Sequence, residues 1–413
     1  MVPDGWNDLS LGQLYDFKNG LNADKSSYGH GTPFVNVMDI FAADELSAEA
    51  LRGSVAASEK AIREFSVNYG DILFNRTSET VEEIAYSAVY LDTQPAVFGG
   101  FVIRGRPKSR SVDAHYSKYL FKSAPFRRKV IKACQGAVRA NIGQKDLAKI
   151  EVSLPPLPEQ KKIAQILSTW DQAITATERL LENSQQRNKG LMQQLLTGKK
   201  RLPGFEGEWD KVQLKKLGKC IRGVSYKPSD ICSEVPTKTV RLLRSTNIQN
   251  GSLNDKDLVI LPNASVKSEQ LLKAGDLCIC MANGSKKLVG KSAVFHDSER
   301  PYTVGAFCAI YRTFKTADSR FVRFLFESSK YEQQISVILA GSSINNLKGS
   351  DIESMWFNAP VDPEEQTAIA DVLSSASREI RLLANCLNKF KEEKKALMQQ
   401  LLTGKRRVQV EAA

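Results

Sequence analysis

The sequence predicts a mixed α/β (α+β) fold in which two tandem-repeated globular domains alternate with two long helices that pair as an antiparallel coiled coil. Three observations predict it: an internal repeat that spans nearly the whole chain, two heptad patterns of about 40 residues, and short apolar runs between turn residues. With 413 residues, 42% of them hydrophobic, the chain is long enough for two or three domains with substantial cores. A mini-protein and a disordered tail are excluded.

The repeat is clearest at the ends of the two predicted helices. Residues 188–202 read NKGLMQQLLTGKKRL and residues 394–408 read KKALMQQLLTGKRRV, so Leu191 corresponds to Leu397 at an offset of 206 residues. The same offset relates EQKKIAQILSTWDQAI at 159–174 to EQTAIADVLSSASREI at 365–380 without a gap. The chain therefore divides into a first globular domain (1–155), a first helical region (156–204), a second globular domain (205–360) and a second helical region with a basic tail (361–413).

Both helices have start and stop signals. Pro158 and Pro363 lie at first helical positions, where a missing N–H costs nothing, and Gly198 and Gly404 mark the ends. Between these signals, apolar residues advance by alternating fours and threes, which is a heptad seam. The predicted seam consists of Ile163, Leu167, Trp170, Ile174, Leu181, Leu191 and Leu195 in the first helix and of Ile369, Leu373, Ile380, Leu383, Leu387, Phe390, Leu397 and Leu401 in the second.

A single helix of this length cannot bury an apolar stripe, so we expect the two repeats to pair with each other. Two equivalent domains joined by equivalent helices form a pseudo-dimer, whose two-fold relation makes the helices antiparallel. Thr177, Ser184, Asn188 and Lys394 interrupt the seam. They either fix the register and mark a contact with another subunit, or they are solvated imperfections of a purely structural coil.

The charge balance favours a polyanionic partner. The chain has 58 Lys and Arg against 46 Asp and Glu, which gives a net charge of +12. A surplus that only serves solubility would look the same, so both interpretations stay open at this point. No window approaches the ~20 apolar residues of a membrane-spanning helix. The first residues lack the features of a secretory signal, so we expect a cytoplasmic protein.

The sequence predicts no catalytic, cofactor-binding or metal-binding residues. The best phosphate-loop candidate, residues 283–292, has five residues between its glycines, whereas a phosphate loop needs four. The seven cysteines are scattered, and the three histidines are not at ligand spacing. No glycine fingerprint for a dinucleotide or S-adenosylmethionine follows a predicted strand. A binding function is therefore expected.

Basic and polar residues on loops are the candidates for recognition, because Lys and Arg neutralise phosphates and bidentate donors and acceptors read bases. Matching places in the two domains hold different side chains, so the domains should read different bases. The candidates in the first domain are Asn22, Lys25, Asn36, Asp39, Asn75, Arg76, Thr77, Ser78, Arg104, Arg106, Arg139 and Asn141. Those in the second are Ser225, Lys227, Arg241, Arg244, Thr246, Asn247, Asn283, Ser285, Lys286, Lys287, Asn345 and Asn346. The alternative is that the Asn and Asp residues only cap turns.

The chain resembles the specificity subunit of a type I restriction-modification system. The resemblance spans the whole chain and rests on the helix openings LPPLPEQKKIAQILSTWDQAI and APVDPEEQTAIADVLSSASREI, the doubled LMQQLLTGK endings, and the RLPGFEGEW segment before the second domain. It implies two target-recognition domains at opposite ends of an antiparallel helix pair. Each domain would read one half of a bipartite asymmetric DNA site, and the helices would set the spacer.

The resemblance also implies partners. These are double-stranded DNA, two methyltransferase subunits docked on the helices and, through them, ATP-dependent restriction subunits; no membrane is involved. S-adenosylmethionine, ATP and Mg are expected on the partner subunits, and no cofactor and no catalysis in this chain. The alternative function is a non-enzymatic coiled-coil adaptor whose basic domains bind another polyanion such as RNA.

Carried over by position, the DNA-facing loops of the family fall on residues 20–25, 36–39 and 76–80 in the first domain and on 223–227, 244–247 and 283–287 in the second. One departure is acidic: Glu79, Glu82 and Glu83 follow the GDILF segment. Acids repel phosphate, although a glutamate can accept a hydrogen bond from cytosine N4. This loop therefore either reads a C·G pair or points away from DNA.

Overall fold

A computed structural model describes residues 3–134, 139–235, 237–249, 251–341 and 345–410. The chain divides into two compact units. Unit 1 contains Met1–Glu178 and Asn385–Ala413, and unit 2 contains Arg179–Ala384. Each unit thus holds one globular domain with half of each long helix.

The first domain is built from short strands with small helices between them. Its strands are β1 (Asn7–Ser10), β2 (Tyr15–Asn19), β3 (Tyr28–Val35), β4 (Glu45–Leu46), β5 (Gly53–Val55), β6 (Ser66–Val67), β7 (Ile72–Asn75), β8 (Thr77–Ser78), β9 (Ser87–Tyr90), β10 (Ala96–Phe98), β11 (Val102–Pro107), β12 (Ala140–Asn141) and β13 (Glu151–Leu154). Its helices are α1 (Leu11–Leu14), α2 (Val37–Ala42), α3 (Glu59–Glu64), α4 (Ala114–Leu120), α5 (Ala124–Ala133) and α6 (Gln144–Ala148). The first long helix, α7 (Leu157–Leu195), follows.

Two sheets and a helical layer enclose the core of unit 1. The five-stranded sheet has the order β2-β11-β7-β9-β4, and the four-stranded sheet has the order β5-β3-β10-β6. Side chains of β7 alternate between the faces of its sheet: Ile72 and Phe74 pack with the helices, and Leu73 packs with the second sheet. Because β7 is covered on both faces, all four of its residues are buried.

The second domain repeats much of this order with fewer elements. Its strands are β14 (Asp210–Gln213), β15 (Gly218–Arg222), β16 (Thr239–Leu243), β17 (Ile248–Gln249), β18 (Ser252–Leu253), β19 (Val259–Pro262), β20 (Leu277–Cys280), β21 (Ser292–Val294), β22 (Tyr302–Val304), β23 (Cys308–Thr313) and β24 (Trp356–Ala359). Its helices are α8 (Leu214–Leu217), α9 (Ser319–Phe326), α10 (Ser329–Ala340) and α11 (Gly349–Glu353), and the second long helix is α12 (Pro363–Leu401).

The sheets of unit 2 repeat those of unit 1 with fewer edge strands. The order β15-β23-β20-β21 matches β2-β11-β7-β9, and β19-β16-β22 matches β5-β3-β10. Cys278 and Cys280 lie in β20 and are buried. The prediction of a mixed helix and sheet fold, with a long helix between two domains, is confirmed.

The long helices pack against each other within each unit. In unit 1, the start of α7 (Ile163, Leu167) shares a core with the end of α12 (Leu401). In unit 2, the end of α7 (Leu195) shares a core with the start of α12 (Leu373). Because the start of one helix packs with the end of the other, the two helices are antiparallel. Every predicted seam residue is buried or half-buried. Gly198 and Gly404 follow the helix ends in the left-handed conformation, with φ of +71° and +67°.

A buried glutamate at the start of each long helix joins three segments of its unit. Glu159 accepts a hydrogen bond from Trp6 Nε1 and a two-pronged one from Arg407. In unit 2, Glu365 is bound in the same way by Trp209 and by Arg201, which lies 206 positions before Arg407. Charge-assisted two-pronged pairs are the strong class of hydrogen bond. The exact repeat in sequence is therefore also a repeat of side-chain contacts.

Two of the polar seam residues make specific contacts. In unit 1, Lys394 pairs with Asp171, which also accepts hydrogen bonds from Tyr119 (2.7 Å) and Lys118 (3.0 Å). In unit 2, Ser184 donates to Glu379 Oε1 at 3.1 Å. These contacts support the interpretation that polar seam positions fix the register. None of the helices in the described part of the chain is both long and apolar enough to cross a membrane.

Candidate nucleic-acid interface

Five segments of unit 1 meet at one end of its sheets, and we call this surface loop face 1 (residues 20–22, 35–36, 76–77, 99–101 and 141–142). Main-chain hydrogen bonds join the segments in pairs: Gly99 N to Val35 O, Gly100 N to Leu21 O, Arg76 N to Phe101 O, and Ile142 N to Arg76 O, all 2.9–3.1 Å. A Cβ at Gly20 would lie 2.1 Å from the Gly99 carbonyl oxygen, so only glycine allows this approach. The face is held by backbone atoms.

The corresponding segments of unit 2 form loop face 2 (residues 223–225, 243–244, 281–283, 305–307 and 345–347). The equivalent main-chain bonds are Gly305 N to Leu243 O, Met281 N to Phe307 O, and Leu347 N to Met281 O, at 2.8–2.9 Å. The Ala282–Asn346 bridge matches the Thr77–Asn141 pair of unit 1. The two faces therefore share one backbone arrangement.

More than half of the predicted site residues are exposed on or beside the loop faces. In unit 1 the exposed candidates are Asn22, Lys25, Arg76, Arg139 and Asn141, and in unit 2 they are Ser225, Lys227, Arg244, Thr246, Ser285, Lys286, Lys287 and Asn346. Half-buried candidates on the faces are Asn36, Thr77, Asn283 and Asn345. Every exposed residue of this set is polar, and seven are Lys or Arg, which suits a phosphate-bearing partner.

Four predicted DNA contacts are turned inward and support the loops. Asp39 is buried and accepts from Asn36 N at 2.8 Å, while Asn247 is buried and accepts from Arg244 N at 2.8 Å. Asn75 is fully buried at the end of β7, and the buried Ser78 donates to Glu83 Oε2 at 3.3 Å. These contacts agree with the turn-capping alternative for Asp39 and Asn247, and DNA contact by the four residues stays a prediction.

Three of the predicted arginine contacts have guanidinium groups that pair with carboxylates and carbonyls of the chain itself, and their contact with DNA also stays a prediction. Arg106 makes a two-pronged pair with the buried Asp71, at 2.8 and 3.1 Å. Arg104 is buried beside the same carboxylate, and this burial, together with Arg106, lowers its pKa. Arg241 lies within β16 and pairs with Glu234 at 2.7 Å. These arginines tie strands together away from the loop faces.

The acidic loop of unit 1 is occupied by contacts within the chain. Glu79 lies 3.9 Å from the guanidinium of Arg139, Glu83 accepts from Ser78, and the carbonyl of Glu82 accepts from Arg127. The Glu79 side chain remains 87% exposed. The acidic side chains of this loop thus lower the net positive charge beside loop face 1, and Glu79 partly neutralises the charge of Arg139.

Two exposed aromatic residues are not among the sequence-predicted candidates, which are all polar. Phe101 and Phe307 stand on loop faces 1 and 2 with exposed fractions of 69% and 71%. The signal was present in the sequence, because Gly99-Gly100-Phe101 matches Gly305-Ala306-Phe307 in the repeat. Among the described residues, no group of three or more His, Cys, Asp or Glu side chains is arranged to hold a metal ion.

A duplicated loop face on a duplicated domain, each domain followed by a long helix, defines a two-site binding scaffold. Residues 3–183 match the family model of the type I restriction modification DNA specificity domain. The chain is 38% identical over 158 residues to the type I restriction enzyme EcoKI specificity subunit of Escherichia coli (strain K12), a match that covers 38% of this chain and 33% of that protein. It is 25% identical to the MjaVIII specificity subunit of Methanocaldococcus jannaschii, over 98% of this chain and 94% of that one.

Solved structures show the same fold. The S subunit of a type I restriction-modification system from M. genitalium matches with a TM-score of 0.62 at 13% identity, over 97% of this chain and 99% of that chain. The subunit from Thermoanaerobacter tengcongensis matches with a TM-score of 0.51 at 16% identity, over 98% of both chains. The chain is therefore similar over nearly its whole length to type I restriction-modification specificity subunits, and residues 3–183 match the DNA specificity domain of that family.

Proposed function

We propose that this chain is the non-catalytic DNA-recognition subunit of a type I restriction-modification complex, in which each loop face reads one half of a bipartite asymmetric DNA site. The observation that carries the proposal is the pair of loop faces with one backbone arrangement and different side chains. Arg76 and Thr77 of face 1 stand where face 2 has Met281 and Ala282. Base discrimination depends on side-chain donors and acceptors, so the two faces select different sequences.

The long helices set the distance between the half-sites in this proposal. Each helix has 39 residues, which at 1.5 Å per residue corresponds to a length of about 58 Å. Equivalent major-groove positions recur every ~34–36 Å along one side of the duplex. Rigid helices of this length suit a spacer element between two half-sites.

The helices also dock two methyltransferase subunits, which in turn bring the restriction subunits. S-adenosylmethionine, ATP and Mg belong to those partners in this proposal, and the chain supplies recognition alone. We expect that the purified chain neither methylates nor cuts DNA. Transfer of a labelled methyl group by the isolated chain would contradict this part of the proposal.

The decisive experiment exchanges one domain. Residues 205–357 are replaced by the corresponding domain of a relative, the chimera is co-expressed with the methyltransferase partners, and modified sites are mapped in the host genome. We expect one half of the recognised sequence to change and the other half and the spacer to stay. Altered bases in both halves would contradict independent reading. If competing random DNA or RNA removes all binding to the specific site, the alternative function as a polyanion-binding adaptor is favoured.

A further inference from the structure

Phe101 and Phe307 are exposed although the strand residues next to their turns are buried. Phe98 and Val102 on either side of Phe101 have no exposed surface, and neither has Val304 before Phe307. Each phenylalanine stands in a tight turn, closed by Val102 N to Gly99 O at 2.9 Å in unit 1 and by Cys308 N to Gly305 O at 2.8 Å in unit 2. The turns thus present one ring each to solvent.

The turns are held firmly by their neighbours. The Phe101 carbonyl accepts from Arg76 N, and the Phe307 carbonyl accepts from Met281 N at 2.8 Å and Ala282 N at 3.2 Å. Because the backbone is fixed, ordering the ring on a partner costs little conformational entropy. Among the described residues neither ring stacks on another aromatic ring. The two rings are preorganised and available.

Polar and basic groups surround both rings. In unit 1, the Asn22 side chain lies against Gly100, next to Phe101 in the turn, and the exposed Arg76 is joined to Phe101 through the backbone. In unit 2, Phe307 lines a groove of about 450 Å³ together with Arg222, Asn346 and Lys348. An apolar ring among cations and amides matches a DNA groove, where base edges lie between phosphates.

We propose that Phe101 and Phe307 are the apolar base contacts of the two loop faces. Each ring packs against a base pair of the half-site that its own domain reads, as phenylalanine does against a thymine methyl group or an unstacked base step. This inference rests on the proposed function. It adds an apolar contact, in the same place in both domains, to readout by polar side chains.

The test compares Phe101→Ala and Phe307→Ala with the intact chain, each assembled with its methyltransferase partners. The recognised sequence is first mapped with the intact complex. Binding is then measured to the specific duplex, to duplexes changed at each position, and to a random duplex of equal length. We expect each variant to bind the specific duplex about tenfold more weakly and the random duplex equally well. Lost discrimination is confined to one half-site, a different one for each variant.

Matched controls remove exposed rings away from the loop faces, one before β7, which pairs with β11, and one at the other end of β23. Tyr69 is 53% exposed before β7, and Phe314 is 40% exposed after β23. Tyr69→Ala and Phe314→Ala leave both affinities unchanged, and Phe101→Tyr, which keeps the ring, retains most of the discrimination. Duplexes with deoxyuridine in place of thymidine show whether a thymine methyl group is the contact. Removal of the methyl group weakens binding by the intact chain and leaves binding by the alanine variant unchanged.

Each contrary result has a separate meaning. If the intact complex discriminates and both alanine variants discriminate equally well, the inference fails and the proposed function stands. A uniform loss of binding to specific and random duplexes also overturns the inference. If the intact complex has no sequence preference at all, the proposed function itself fails.

Discussion

Individual side chains divide into those that face solvent on the loop faces and those that hold the loops from inside. Arg76 and Arg106 show the difference: both were candidates for DNA contact, but Arg76 is exposed and Arg106 is bound to the buried Asp71. The internal repeat matches loop segments of one domain with those of the other, and matched segments make the same backbone contacts in the structure. The sequence did not predict the direction of each side chain, because that direction depends on tertiary partners such as Asp71, 35 residues away.

Substitution of Arg76 is expected to change recognition and leave stability unaffected. An arginine that binds a base with two donors contributes ~1–3 kcal/mol of discrimination. We expect Arg76→Ala to lose that discrimination at one base pair of one half-site, measured by binding to a panel of single-position duplexes. Arg63→Ala, an exposed arginine on α3, is the matched control. An Arg76→Ala complex with unchanged base preference would show that Arg76 touches phosphate or no DNA.

Substitution of Arg106 is expected to have the opposite effect. Its removal leaves the Asp71 carboxylate buried with one distant cation, Arg104 at 4.0 Å, and breaking a buried pair costs about 3 kcal/mol. We expect Arg106→Ala to lower the free energy of unfolding while the folded protein keeps its base preference. Arg110→Ala, at an exposed position, serves as the control. Unchanged stability of Arg106→Ala with altered base preference would place Arg106 among the DNA contacts.

At the scale of elements, the long helices were the most predictable part of the fold. Proline and glycine signals and the heptad seam predicted helices near 158–197 and 363–403, and the structure has Leu157–Leu195 and Pro363–Leu401. Helix periodicity is a local property of the sequence, so it can be read without tertiary information. The strands β4, β6 and β8 have two residues each. Elements that short are defined by their partners, so their sequence carries no pattern of its own.

The Asp171 cluster makes the helix pairing of unit 1 dependent on pH. Burial raises the pKa of Asp171, but hydrogen bonds from Lys394, Tyr119 and Lys118 outweigh it, and the net pKa lies below the usual value. A carboxylate with a lowered folded-state pKa adds stability above its unfolded pKa of about 3.9, and this stability is lost as pH falls through the folded value.

We therefore expect Asp171→Asn to lower the free energy of unfolding by about 2 kcal/mol at pH 7, with a difference from the parent chain that shrinks below pH 4. Urea unfolding between pH 7 and pH 3 measures this. Asp371→Asn, which removes a carboxylate that is 61% exposed and paired with Arg320, is the matched control and costs a few tenths of a kcal/mol. A difference that stays constant down to pH 3 would show that the charge of Asp171 is not what stabilises the pair.

For the whole molecule, the proposed spacer function predicts the effect of lengthening a helix. Insertion of four residues after Ser184 adds slightly more than one turn, or about 6 Å, and keeps the seam close to register. Because base pairs are ~3.4 Å apart, we expect the recognised spacer to lengthen by one or two base pairs while both half-sites persist. Some affinity is lost because α12 is not extended. Methylation mapping of the insertion variant gives the spacer length. An active variant that recognises the original spacer length would refute the proposed spacer function of the helices.

The backbone bonds that join the loop faces have a consequence for how the protein changes over evolutionary time. Gly99 to Val35, Gly100 to Leu21 and Arg76 to Phe101 are joined by main-chain atoms only, which every amino acid except proline supplies. The exposed side chains of these segments can mutate with little penalty in folding. If the proposed function holds, a lineage can thus acquire a new target sequence by point substitution, one half at a time, because stability and recognition depend on different atoms.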